Sequence, residues 1–353
     1  MSYTNGLDNP ELYFQTKLYT GNATDDTAIT LDGSENMQPD WIWTKERSQT
    51  GNHNLFDSVR GVSKRIRTEI ESAESTLSPV NQIKSFDSDG FTLGTNNGSN
   101  ENSVTFVAWC WKAGTSFSND ASATGVGTID SSGSASDTAG FSIVSWTGTA
   151  SNGTVKHGLS TAPKMIWIKN RTTAHSWSIY NKDIGNTKFL KIDTNSAEDT
   201  NVLRFNSTDP TSSVFSLGTH GSGNQSGDSI IAYCFAEKQG YSKIGSYVGN
   251  GSSSGTYVHL GFKPAWILTK KSSGTSSWIL HDNKRDPINP LDEFFTIEEG
   301  DAAGDLDSFD LTSNGFKLRT SNGDRNASGE TYIYMAFAEA PFVNSKGVPC
   351  NAR

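Results

Sequence analysis

The sequence predicts an all-β protein of three tandem β-sandwich repeats, jelly-roll or concanavalin-like, of about 100 residues each. Three observations predict it. One phrase occurs three times, as Pro39-Asp40-Trp41-Ile42-Trp43-Thr44-Lys45, Pro163-Lys164-Met165-Ile166-Trp167-Ile168-Lys169 and Pro264-Ala265-Trp266-Ile267-Leu268-Thr269-Lys270. The intervals are too long for a solenoid and suit a small β domain. Hydrophobic content is 34% against a usual ~45–50%, and 34 glycines accompany 10% aromatics. That mix favours short strands joined by many turns.

Alignment of the copies orders the elements. Each opens on an alternating strand, near Phe14–Gly21, Phe141–Gly148 and Tyr241–Gly249. A polar loop and a short strand follow. The Trp/Ile strand then leaves its proline, where extended backbone is favoured. Next come Leu55–Asp57, Ile179–Asn181 and Leu280–Asp282. Lys64–Thr68 has a helix-like charge density, but it aligns with Lys188–Ile192 and Glu293–Ile297, so it is read as a strand. Asp89-Gly90 and Asn314-Gly315 predict type I′ hairpin turns, while the middle copy, with Val214-Phe215, should turn differently. The last strand of each copy (Val104–Trp111, Ser229–Phe235, Tyr332–Phe337) is almost continuously apolar, which predicts a central strand buried on both faces.

The organisation read this way is repeat one over 1–114, a Gly/Ser-rich linker or docking arm over 115–139, repeat two over 140–239, repeat three over 240–342 and a tail over 343–353. If 115–139 is an arm, Val126-Gly-Thr-Ile129 is its apolar anchor. Phe235 runs into Tyr241 without a linker, which argues for close docking of copies two and three.

A residue shared by all copies serves the fold; a residue in one copy is a candidate for function. Cys110 and Cys234 align with Ala336 and are read as small core residues, and three cysteines with Cys350 make no disulfide framework. The six histidines lack metal-ligand spacing, and His157 and His259 align as strand-end residues. Asp87-Ser88-Asp89-Gly90 has too few ligands for a calcium loop. Glu69, Asp193 and Glu298 also align, so they read as a strand-end acid, not as the facing carboxylates of a glycosidase. No enzyme and no cofactor are expected. The net charge of −9 and the lack of a basic cluster argue against nucleic acid. No apolar run is long enough for membrane insertion, and Met1–Gly6 lacks the features of a secretory signal.

Trp41, Trp43, Trp109 and Trp111 alternate on strands and are expected in the core. Trp177 and Trp278 adjoin variable loops and are the ring candidates for ligand stacking. The distinctive loop of copy three adds His281, Asp282, Lys284 and Arg285 as ligand candidates.

Ala139–Gly148, His157-Gly-Leu, Ala162–Met165 and Lys169–Arg171 resemble a repeat of predicted virion and tail-fibre-like proteins of marine bacteriophages. Phe56–Gly61, Ser85–Gly94, Val107–Gly114, Ala336–Glu339 and Pro341-Phe342 resemble it too. The resemblance spans Tyr13 to Arg353. It implies a structural protein of a phage particle, a tail-fibre or appendage subunit used in host adsorption, and carries over no catalytic residue. The alternatives are a capsid decoration or knob protein, and a glycan-binding or glycan-cleaving sandwich. The expected partners are other virion proteins, further copies of the chain (a trimer among the homo-oligomers considered) and a host surface glycan. The expected location is the virion, after synthesis in the host cytoplasm and release by lysis.

Overall fold

A computed structural model describes residues 7–77 and 83–349. Cys350 and the first six residues lie outside the described residues. The chain is all-β, and the ladders between its strands are antiparallel.

One four-strand order occurs three times. In the first copy it runs Phe14–Thr20, Thr105–Trp111, Trp41–Glu46, Asn54–Asp57. In the second it runs Phe141–Thr147, Ser229–Phe235, Met165–Asn170, Ser178–Asn181, and in the third Ser242–Val248, Thr331–Pro341, Phe262–Lys271, Trp278–Asp282. The register is shared as well. Cys110 sits between Gln15 and Ile42, Cys234 between Ser142 and Ile166, and Ala336 between Lys243 and Ile267. Lys64–Arg67 is a strand beside Asn54–Asp57.

The period of two sorts each central strand between two cores. Ile42, Ala108 and Cys110 face a core private to copy one, beneath the small sheet of Thr27–Thr30, Gly90–Leu93 and Ile83–Asp87. The second and third copies have their own private cores. The opposite faces of all three large sheets meet in one shared core. It contains Trp41, Trp43, Trp109 and Trp111, then Trp167, Tyr233 and Phe235, then Trp266, Met335 and Phe337. A sheet covered on both faces explains the near-continuous apolar strands. All three copies meet in this core, so copies two and three are packed together, and each also packs on copy one.

Two expectations are corrected. The hairpins at Asp89-Gly90 and Asn314-Gly315 are not type I′, because Asp89 and Asn314 do not take positive φ. The glycines begin the returning strands, paired with Asp87 and Thr312. They are needed because a third strand approaches: a Cβ would lie 2.0 Å from the Ile29 carbonyl oxygen at Gly90 and 2.1 Å from that of Val258 at Gly315. The middle copy has no hairpin there, since the helix Val202–Phe205 and a loop precede Val214–Leu217.

Residues 115–139 are the second correction. Thr115–Asn119 and Ser131–Ser136 pair with each other, and the latter pairs with Phe141–Thr147. The segment is an edge hairpin of the second sheet, neither a free linker nor an arm on a neighbour. Ile129 is buried in the private core of copy two and bridges Val155.

Candidate functional site

Contacts between copies follow one cyclic rule. The residue at the start of the fourth strand of each copy reaches a backbone carbonyl of the copy before it in the ring. Trp177 Nε1 donates to the Arg67 oxygen at 2.9 Å, and Trp278 Nε1 donates to the Lys191 oxygen at 2.8 Å. In copy one the matching residue is His53, whose Nε2 lies 3.3 Å from the Thr296 oxygen. Trp43 Nε1 donates to His53 Nδ1, so Nε2 carries the proton and donates. The ladder is matched by three lysines. Lys45 Nζ donates to the Gly300 oxygen, Lys169 Nζ to the Glu71 oxygen and Lys270 Nζ to the Asn195 oxygen. Burial pulls all three ammonium groups down to about 8.

This geometry removes most of the ligand candidates. Trp177 and Trp278 are buried, so neither ring is open to stack on a sugar. Adjacency to a variable loop suggested exposure, but each ring points into the seam between copies. His281 is buried against Phe309 and Phe294. Asp282 and Arg285 form a fully buried ion pair, and Asp282 Oδ2 also accepts the indole N–H of Trp109 at 2.9 Å. Asp57 and Arg60 repeat the pair one seam away, where Tyr233 donates its hydroxyl to Asp57 Oδ2 at 2.7 Å. The loop looked unique because of its prolines, yet its Asp-x-x-Arg spacing is shared with copy one. Lys284 alone of the six keeps an exposed side chain.

The strand-end acids are structural. Glu69, Asp193 and Glu298 accept the backbone N–H of His53, Trp177 and Trp278 at 3.3, 3.3 and 3.1 Å. Cys110 and Cys234 are buried free thiols, and burial pushes the Cys234 thiol up to about 12, far from a reactive thiolate. Among the described residues no group of His, Cys, Asp and Glu is placed to hold a metal ion. No helix among them is long and apolar enough to cross a membrane.

Lys284 stands at the rim of a cleft of about 260 Å³ between copies one and three. Its lining includes Phe14, Gln15, Thr16, Ala265, Asn283 and Ala338, with Glu11, Asp32 and Glu339 around the edge. Gln15 is fixed: its amide donates to the Glu11 and Glu35 oxygens at 2.9 and 3.0 Å, and its Oε1 accepts the Gly33 N–H at 2.9 Å. Sequence reasoning missed these residues, apart from Lys284, because the cleft joins the two ends of the chain. Its signal was the alanine at 265, where the aligned copies carry Asp40 and Lys164.

The chain belongs to a family described as a domain of unknown function, DUF7483, whose family model matches residues 9–341. No curated protein matches the chain.

Proposed function

We propose that this chain is a structural subunit of a bacteriophage particle, a tail-fibre or related appendage protein that meets the host surface. The observation that carries the reading is the closure of three sheets on one aromatic core. Such a core is dense and resists deformation. It suits a part that must hold a fixed shape outside the cell and display loops around its perimeter. Some of the repeat phrases that resemble virion and tail-fibre-like proteins, among them Ala139–Gly148 and Val107–Gly114, lie on strands that build this core and support the same reading.

The cyclic contacts bear on the oligomer. Three copies in one chain already supply the threefold arrangement that three identical subunits would otherwise build. In this reading one chain stands where a trimer was expected, and its partners are other particle proteins. Gold-labelled antibody against the purified chain, applied to intact particles and viewed by electron microscopy, tests it. Label on the tail or its appendages is expected. Label confined to the head points to a decoration protein, and unlabelled particles overturn a place on the particle altogether. Light scattering of the purified protein should give the mass of a single chain.

A further inference from the structure

Copy three brings together three side chains that the other copies do not combine. Lys263 stands on the strand Phe262–Lys271, Asn283 just beyond the strand Trp278–Asp282, and Glu339 on the strand Thr331–Pro341. Glu339 bridges the other two. Its Oε1 accepts from Lys263 Nζ at 2.6 Å, and its Oε2 accepts from Asn283 Nδ2. One carboxylate thus holds an amine beside a primary amide. Lys263 and Asn283 are buried, at 7% and 6% exposure, while Glu339 opens on the cleft.

The backbone sets this arrangement. The Asn283 N–H donates to the Ala265 oxygen at 2.9 Å, which places Asn283 opposite Ala265 and makes Lys263 its diagonal neighbour. The ladder between Phe262–Lys271 and Thr331–Pro341 shifts register on both sides of Pro264. The matching ladders of copies one and two begin at Trp41 and Met165 and run without a shift. Such irregularities re-aim side chains. The other copies also lack the amide. Ser58 and Lys182 take the place of Asn283, with their N–H groups on the Asp40 and Lys164 oxygens at 2.8 and 2.9 Å. Copy two keeps a plain ion pair there, Lys164 with Glu237 at 2.7 Å.

We propose that Lys263 and Asn283 join in an intramolecular isopeptide bond, made by the folded chain itself with Glu339 as the catalytic residue. Glu339 Oε1 takes a proton from the Lys263 ammonium, and the freed amine, on its flexible stem, attacks Asn283 Cγ. The Nζ–Cγ bond forms and the Cγ–Nδ2 bond breaks. Two protons pass in all from Nζ to Nδ2 by way of the carboxyl group, so ammonium leaves through the cleft and the carboxylate is regenerated. The exchange needs no oxidant and no further reactant. Holding amine and amide on one carboxylate supplies the proximity that the same groups lack in solution. The bond ties two strands of copy three at the seam with copy one, where no chain junction exists.

Intact-mass spectrometry of the purified full chain, unfolded for the measurement, tests this. Allowing for removal of Met1, the mass should lie about 17 Da below that of the sequence, the loss of one ammonia. Fragmentation of a protease digest should find residues 263 and 283 in one cross-linked pair. Lys263→Arg, Asn283→Ala and Glu339→Gln should each keep the full mass of their sequence. Glu339→Gln retains both linked side chains, so it reads the proton transfer alone. A parent chain at full mass overturns the proposal without recourse to any variant. The same loss persisting in Lys263→Arg overturns it too, because an asparagine cyclised on its own backbone is then the source. A link that forms unchanged in Glu339→Gln overturns the catalytic role of Glu339.

Discussion

Trp177 donates its indole N–H to the backbone carbonyl of Arg67, 2.9 Å away, across the seam between copies two and one. The ring also fills the shared core, so it supplies packing and a hydrogen bond at once. Trp177→Phe keeps most of the buried area and leaves the Arg67 oxygen unpaired, at a cost of about 1–3 kcal/mol. Trp177→Ala adds a cavity and should cost about 3–5 kcal/mol, as should Trp167→Ala or Trp266→Ala. Urea unfolding measures each. A loss below about 0.5 kcal/mol for Trp177→Ala would mean that the seam is not held by this ring.

Asp57, Arg60 and Tyr233 form a buried trio between copies one and two, with the Tyr233 hydroxyl on Asp57 and Arg60 bonded to Asp57, Glu74 and the Leu55 oxygen. At the seam between copies two and three the matching residues are Asn181, Ile184 and Met335, and the core closes without an ion pair. Removing one charge strands the other, so Arg60→Ile alone should cost about 3–5 kcal/mol. The triple variant Asp57→Asn, Arg60→Ile, Tyr233→Met copies the second seam and should recover most of that loss. Additive losses in the triple variant would show that the trio contributes net stability and not only mutual compensation.

The large sheets were readable from the sequence because repetition supplied their register. Cys110, Cys234 and Ala336 fall between equivalent neighbours, and Lys64–Arg67 is a strand despite its charge. The shared core was only half readable. Alternation placed Trp41 and Trp43 inside, but nothing local says that their face meets two other copies. The same gap misassigned Trp177 and Trp278, whose partners Arg67 and Lys191 lie in other copies. The edge hairpin at 115–139 was missed because Ser, Gly and Ala carry little strand propensity, and its pairing with Phe141–Thr147 decides the conformation instead. The cleft was unreadable because it depends on which copies lack a covalent junction.

Glu298 is buried, with Oε2 accepting the Trp278 N–H and Oε1 unpartnered, and burial pushes its carboxyl up to about 7. A folded value above the ordinary one means that the folded chain binds more protons between pH 4.5 and 7. Stability from this group is therefore full below pH 4.5 and is lost as pH rises through 7. Glu298→Gln keeps an oxygen for the Trp278 N–H and carries no charge. It should equal the parent near pH 4.5 and exceed it by about 1–3 kcal/mol at pH 8. Unfolding free energies at the two pH values measure this, and an equal difference at both would show that Glu298 does not titrate in this range.

Lys45, Lys169 and Lys270 carry the opposite signature. Burial holds each near 8 in the folded chain, below the ordinary 10.5. Between those values the unfolded chain binds more protons, so stability rises with pH across that window. The buried thiols act against this above about pH 8.5, since they ionise more readily once unfolded. A difference measurement cancels them. Lys45→Met loses the bonds to the Glu46 and Gly300 oxygens, a cost that varies little with pH, and is relieved of the buried charge. The free energy of the variant relative to the parent should therefore fall by about 1 kcal/mol between pH 8 and pH 9. Urea unfolding of both proteins at pH 7.5, 8 and 9 measures it. Parallel curves would mean that Lys45 keeps an ordinary ammonium in the seam, solvated by the carbonyls it bonds.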